Sequence, residues 1–480
     1  MNLAYDNWIP VVLPDGKDEL VSLRRLYERA DDIRDLSVNP PQRIALMRLL
    51  ICITQAALDG PADADDWLRC KPRIVPESLK YLDKWQGHFE LYGKTPFLQA
   101  PGLEHTGNST LDKLDFGLSA GNNATLFDHG GSPEGRGWPD AWTALMLLTY
   151  QTFSPGGLMG VTNWNGQPTS RTSEHAPAVE GSMLHTLIRQ DSLLGTLHSN
   201  LLTKAQVATL PGDGWGEPVW EVGEAGENAN GDRFTHTYMG RLVPVSRAIL
   251  LVPGSRSFTL ANGHGYPKLP AGREPMATTM MRERRGEQQV GYLAVNLSRH
   301  PWRELGSLLA IKNDWRTSGA LALEQLQMNT AETVSVWAGG MAADKGKILD
   351  VAEWSFSLPV SLLHASELLR YQSGVGKCTE GEGSLGFACK KFSEAMKQEN
   401  SLASKARTHF WSALDIRYQQ LVDAANDMTV ALDEVWHPVV KTAMECAYAF
   451  ACPHTTPRQI EAFARGRKVL KLKRFEDVSE

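Results

Sequence analysis

Residues 116–166 read FGLSAGNNATLFDHGGSPEGRGWPDAWTALMLLTYQTFSPGGLMGVTNWNG, one apolar helix bracketed by two glycine-rich loops. Pro139 stiffens the chain and Asp140 offers an N-cap carboxylate, so a helix is expected to start there. Ala141 to Phe153 is almost wholly apolar, which predicts burial on most sides. Pro155-Gly156-Gly157 ends it. A helix of this length spans roughly 20 Å. The long polar loop 122–138 and the short loop 155–160 are therefore expected to sit far apart and to touch different things. Glycines in such numbers let the backbone come close to a bulky ligand.

Working outward, residues 2–12 read as a strand with a turn, and 22–30 as a helix. Pro41 is expected at the first position of a helix that runs to the Gly60-Pro61 stop. Residues 182–195 read as a helix and 235–253 as strands. Arg273, Arg282, Arg284 and Arg285 alternate with Glu274, Glu283 and Glu287, which reads as a solvated face. TVSVWAGG (333–340) and ILDVAEWSF (348–356) read as a hairpin turning at Asp344-Lys345-Gly346. After Pro359 the pattern becomes helical, at 361–372, 390–398, 402–425, 429–451 and 458–471. Short connections between these helices imply a bundle. The last helix is basic, with Arg458, Arg465, Arg467, Lys468, Lys471, Lys473 and Arg474. The fold class is thus α+β: a large mixed α/β domain, 1–358, followed by a C-terminal four-helix bundle, 359–480.

The 480 residues are 42% hydrophobic and 22% charged, ordinary values for a globular protein. A formal charge of −6 excludes a polycation, so nucleic acid would be met by local patches or beside basic partners. Six cysteines include no CxxC pair, and the histidines show no metal spacing, so no metal is expected. Cys52 and Cys446 lie in apolar runs and read as core residues. No signal peptide or membrane-length apolar run is evident, which points to a reducing, cytoplasmic setting and no membrane.

Enzyme motifs fare poorly. Gly117-Leu118-Ser119-Ala120-Gly121 fits a nucleophile elbow, which would make Ser119 a serine hydrolase nucleophile. That motif needs a strand before it and a helix after it, and a polar loop follows here. Gly381-Glu382-Gly383-Ser384-Leu385-Gly386 fits a dinucleotide fingerprint, yet reads as a polar loop with no strand leading in. Asp112 and Asp115 are explained as a solvated helix end. What remains is glycine loops, a cationic hairpin tip and basic patches, which suit a nucleic-acid backbone better than bond-breaking chemistry.

At these residues the chain resembles the CasA family, the large subunit of the type I-E CRISPR interference complex, Cascade. The resemblance rests on Asn2-Leu3, Asp6-Asn7-Trp8-Ile9-Pro10-Val11, the helix at 50–55, Pro96-Phe97-Leu98-Gln99 and the turn at 117–125. Pro155-Gly156, Asn262-Gly263, Gly339-Gly340, Ile348-Leu349 and the helical bundle continue it. Each piece is short; their order and spacing are specific.

The resemblance implies a non-catalytic subunit without a cofactor. It would recognise a short duplex motif beside the target, the PAM, and help open the duplex for guide-RNA pairing. It would also recruit the CRISPR helicase-nuclease. The implied partners are other Cascade subunits, guide RNA (crRNA) and target double-stranded DNA. By position, Gly156, Gly157, Met159 and Gly160 would lie in the PAM minor groove, with Arg256 as a cationic contact. Asp344, Lys345 and Gly346 would form a wedge beside the PAM, with Lys345 where the family usually has glutamine. Phe127, Asp128 and His129 would approach the guide-RNA handle and neighbouring subunits.

Overall fold

The computed structural model describes residues 1–117, 138–222, 231–284, 286–312, 314–326, 332–344, 347–399 and 401–475. The chain divides into two compact units. The first comprises Met1–Leu297, Ile311–Asn329 and Val334–Ser357; the second comprises Ser298–Ala310, Thr330–Thr333 and Leu358–Glu480.

The first unit is built on two buried helices, Pro40–Leu58 and Asp140–Phe153, packed on one another. Pro40, not Pro41, takes the first helical position, because Asn39 is the cap and closes a capping box with Gln42. In the central helix, every residue from Thr143 to Phe153 is buried. Its start differs from expectation by one residue. Pro139 occupies the cap position and Asp140 lies inside the first turn, where its carboxylate accepts the Tyr92 hydroxyl at 2.8 Å. An acidic group there still complements the helix dipole.

Polar groups inside this core are paired. Glu274, fully buried, takes Arg48 at 2.5 Å and Arg241 at 2.7 Å. Burial pushes its carboxyl up, but the two guanidinium groups win and hold it at about 2. Arg273 is buried as well, donating to the carbonyls of Ala277, Ser318 and Gly319. Neither residue belongs to the solvated face. That face is the two-stranded ribbon Thr279–Arg284 with Glu287–Tyr292, where Arg282 and Arg284 are exposed.

Several small antiparallel sheets decorate the helices. One has the order Lys347–Pro359, Thr333–Asp344, His185–Arg189, with Gly339 opposite His185 and Ser335 opposite Arg189. The expected helix at 182–195 is therefore that third strand, followed by a helix at Leu193–Ser199. Likewise 235–253 holds a short helix, Tyr238–Leu242, before the strand Arg247–Leu250. That strand pairs with Ser257–Asn262, which in turn pairs with Ser109–Thr110.

The second unit is helical. Ala365–Met396 is one helix of 32 residues, spanning both helices expected there and the segment between them. Gly381 to Gly386 thus lies mid-helix, which removes the dinucleotide fingerprint on firmer ground than a loop would. Leu402–Asp415 and Tyr418–Asn426 are separate helices, broken at Ile416-Arg417. Leu432–Ala451 and Pro457–Val469 complete the unit. Cys446 is exposed on the fourth of these rather than in the core. Among the described residues, no helix is long and apolar enough to cross a membrane.

Candidate nucleic-acid interface

The central helix ends at Ser154, and the glycine loop leaves from its C-terminus. Gly157-Leu158 pairs antiparallel with Thr172-Ser173, and the Met159 amide donates to the Arg171 carbonyl at 2.9 Å. The loop is thus a short ribbon rather than an open coil. Its glycines differ in what they do. At Gly156 a Cβ would come 2.9 Å from the His175 nitrogen and 3.0 Å from the Ser173 oxygen, so close packing requires it. Gly157 has φ +154° and open space where a side chain would stand. Gly160 fits against Asn108, whose amide nitrogen would lie 3.0 Å from a Cβ there. Between them Leu158 is 75% exposed.

Arg247 holds the neck of this ribbon. It is 1% exposed, and one guanidinium nitrogen donates to the carbonyls of Pro155 and Glu174, each at 2.7 Å. The other donates to the Ser246 carbonyl at 2.6 Å. Gln151 of the central helix accepts the Arg247 amide and donates to the Arg247 carbonyl, both at 2.8 Å. Ser154 and Ser246 hydroxyls meet at 3.0 Å. Helix end, ribbon and strand Arg247–Leu250 are therefore one hydrogen-bonded assembly. His175 beside it is pushed below the ordinary imidazole range, chiefly by burial, and so adds no charge at neutral pH.

Arg256 joins the same region through Asn108. Asn108 brackets Leu260, donating to its carbonyl at 3.1 Å and accepting its amide at 3.0 Å, and its side chain stands where a Cβ on Gly160 would crowd it. Arg256 immediately precedes that strand, and its carbonyl accepts the Leu111 amide at 2.9 Å. Its guanidinium, 39% exposed, lies 3.5 Å from the Asp112 carboxylate. Asp112 is thus a partner for Arg256 rather than a solvated helix end.

The hairpin is present, with Asp344 exposed at the end of one strand and Lys347 at the start of the next. Its tip residues Lys345 and Gly346 lie outside the described residues. So do Ser119, Phe127, Asp128 and His129. The residues that precede the long loop are described as far as Gly117. Phe116 stacks on Tyr150 at 5.5 Å, three residues before the helix end, or roughly 5 Å along the axis. Trp138, the last residue of that loop, stacks on Trp142 at the helix start. Phe116 and Gly117 also line a cleft of about 240 Å³ with Gln42, Met146, Leu349 and Asp350, so the loop root meets the hairpin strand.

Sequence reasoning missed Arg247, Asn108 and Leu158. A lone arginine in an apolar strand signals a buried partner, but not which one. Asn108 carries no local signal, because its partner Leu260 is remote in sequence. Among the described residues, no group of three or more His, Cys, Asp or Glu side chains could hold a metal ion.

The family described as CRISPR-associated protein Cse1 matches residues 2–445. A Thermus thermophilus protein described as CRISPR-associated protein CasA/Cse1 is 27% identical, over 97% of this chain and 96% of its own. The crystal structure of Thermus thermophilus CasA superposes with TM-score 0.78 at 22% identity, covering 98% of each chain. Thermobifida fusca Cse1 gives 0.76 at 18%, again over 98% of each. A chain of a CRISPR RNA-guided surveillance complex gives 0.80 at 17%, over 98% of this chain and 99% of that one. The shared fold runs end to end, and with a family match of that extent the chain belongs to the CRISPR-associated Cse1 family.

Proposed function

We propose that this chain is the non-catalytic large subunit of an RNA-guided DNA-surveillance complex, reading the PAM through its glycine ribbon. The observation that carries this is the ribbon itself: backbone exposed at Gly157 and fixed from behind by Arg247. A minor groove is only about 6 Å wide, so a reader must bring backbone rather than bulk. Gly157, Met159 and Gly160 supply that backbone, with Gly156 packing the neck. Leu158 supplies an apolar contact of the kind minor-groove proteins press against base steps. Arg256, just ahead of the strand that Asn108 pairs with, adds the cation attracted by groove potential.

The hairpin of Asp344, Lys345 and Gly346 acts as the wedge that starts strand opening. Phe127, Asp128 and His129 contact the guide-RNA handle and neighbouring subunits. Base pairing then reads the remaining sequence, the division of labour of RNA-guided effectors. The helicase-nuclease recruited afterwards does the cutting, in the cytoplasm, so the subunit needs no catalytic group of its own.

The test is Gly157→Asp, which adds bulk and a charge that phosphates repel. The assembled complex should lose affinity for PAM-containing duplex while still assembling on guide RNA. Wild-type affinity would show that the ribbon faces elsewhere.

A further inference from the structure

The basic C-terminal segment lies beyond residue 445, where the family match stops, and the PAM reading makes no use of it. Helix Pro457–Val469, opened by a capping box at Thr456, packs on the long helix Ala365–Met396. The chain then leaves the helix and runs extended. Its amides at alternate positions are caught by side chains of other helices in the unit. The Lys471 amide donates to Ser384 Oγ at 3.0 Å, the Lys473 amide to Glu380 Oε1 at 3.1 Å, and the Phe475 amide to Asp433 Oδ1 at 2.9 Å. Lys377 clamps the end. Its ammonium is 2.9 Å from Glu380, donates to the Arg474 carbonyl at 3.2 Å, and sits 4.8 Å from the Phe475 ring centre.

Leu472 and Phe475 are half-buried, whereas Lys471, Lys473 and Arg474 are exposed, as are Arg467 and Lys468 in the last helical turn. Ordering an extended tail costs backbone conformational entropy at every residue. A merely solubilising run of lysines needs no such ordering. Here the ordering fixes a row of cations, with Lys471 and Lys473 about 6.6 Å apart along an extended chain. That spacing is on the scale of neighbouring phosphates on one nucleic-acid strand.

We propose that the docked segment from Arg467 to Arg474 is a second nucleic-acid site, holding the phosphate backbone of a single strand. Each cation meets a phosphate and releases its counterions, so binding is sequence-independent and salt-sensitive. A single strand has no minor groove, so the outcome does not depend on the glycine-ribbon reading.

The test uses the full chain and a labelled 30-nucleotide single strand of mixed sequence. The triple variant Lys471→Gln, Lys473→Gln, Arg474→Gln leaves the anchoring amides and Lys377 in place. Three lost phosphate contacts should lower the log–log salt slope by about 2, and affinity at about 0.1 M salt by roughly a hundredfold. Restoring charge as Lys471→Arg and Lys473→Arg should keep wild-type binding. An unchanged slope and affinity in the triple variant would overturn the site.

A second measurement needs no variant. Acetylation of the wild-type chain, read by mass spectrometry, should be slowed by the strand at Lys471 and Lys473. Lys17, whose side chain is 78% exposed in the other unit, is the reference. Equal labelling with and without the strand would refute the proposal. Protection by polyglutamate, equal to that by the strand at matched charge, would also refute it and point to an acidic protein instead.

Discussion

Arg247→Met tests whether the glycine ribbon is held from behind. Methionine fills much of the buried stem but removes the guanidinium fork. Two bonds at 2.7 Å, to the carbonyls of Pro155 and Glu174, disappear together. Hydrogen bonds from a charged donor are each worth about 1.5–3 kcal/mol. The lower value applies, because Pro155 is half-buried and Glu174 exposed, so water replaces part of the loss. The expected cost is about 3 kcal/mol. If it falls wholly on ribbon order, the competent population drops, and with it PAM-duplex affinity, by up to about a hundredfold. Amide hydrogen exchange localises the effect, since the Met159 amide is bonded to Arg171 across the ribbon. Its protection should fall before that of the central helix. If Met159 protection and PAM-duplex affinity stay at wild-type levels while the unfolding midpoint drops, Arg247 is a core residue with no say over the ribbon.

His185 is fully buried and its imidazole is held near 3, by burial first and by Arg48 next. The unfolded chain takes up a proton near 6.5 while the folded one stays neutral, so stability is full above 6.5 and falls as pH drops toward 3. His185→Leu should remove about 1.4 kcal/mol per pH unit of that slope in urea titrations between roughly pH 6 and 4; an unaltered slope would show the side chain reaching water. Replacing Asp344 and Lys345 with alanine should slow R-loop formation on intact duplex, where the first step costs about 1.4 kcal/mol of stacking. A target premismatched beside the PAM should be opened nearly normally, and equal rates for variant and wild type on intact duplex would sink the wedge. Arg256→Ala should lower the log–log salt slope of duplex binding by about 0.9. Asp112→Asn, which removes the carboxylate 3.5 Å from Arg256, should strengthen binding, and no change in either variant removes Arg256 from the interface.

The central helix was legible because proline and glycine punctuate an unbroken apolar run. The 333–356 hairpin was legible because its strands are local to each other. The strand His185–Arg189 was not. Leu184, Leu187 and Ile188 fall at helical spacing, and the partner that makes them a strand, Ser335–Gly339, is remote in sequence. The long helix was hidden by its glycines, which look like loop punctuation. At Gly374 a Cβ would stand 2.2 Å from Leu421, and at Gly381 3.0 Å from the Met444 sulfur. Packing between helices asks for those glycines, and no local rule expresses that. At the interface, the glycines stood out by composition, and Arg256 entered by its position in the family resemblance. Arg247 did not, because its carbonyl partners Pro155 and Glu174 lie far back in the chain.

Those glycines also bear on how the second unit assembles. Ala365–Met396 contains five of them, at 374, 376, 381, 383 and 386. Each costs about 1 kcal/mol relative to alanine in a helix interior. Detached from its neighbours, so long a helix would be about 5 kcal/mol short of an alanine-bearing equivalent. It exists because Leu402–Asp415, Leu432–Ala451 and Pro457–Val469 all close on it. Removing the last of these therefore frays more than one end. It withdraws support from the scaffold helix itself, and the unit should melt as a single cooperative block rather than helix by helix.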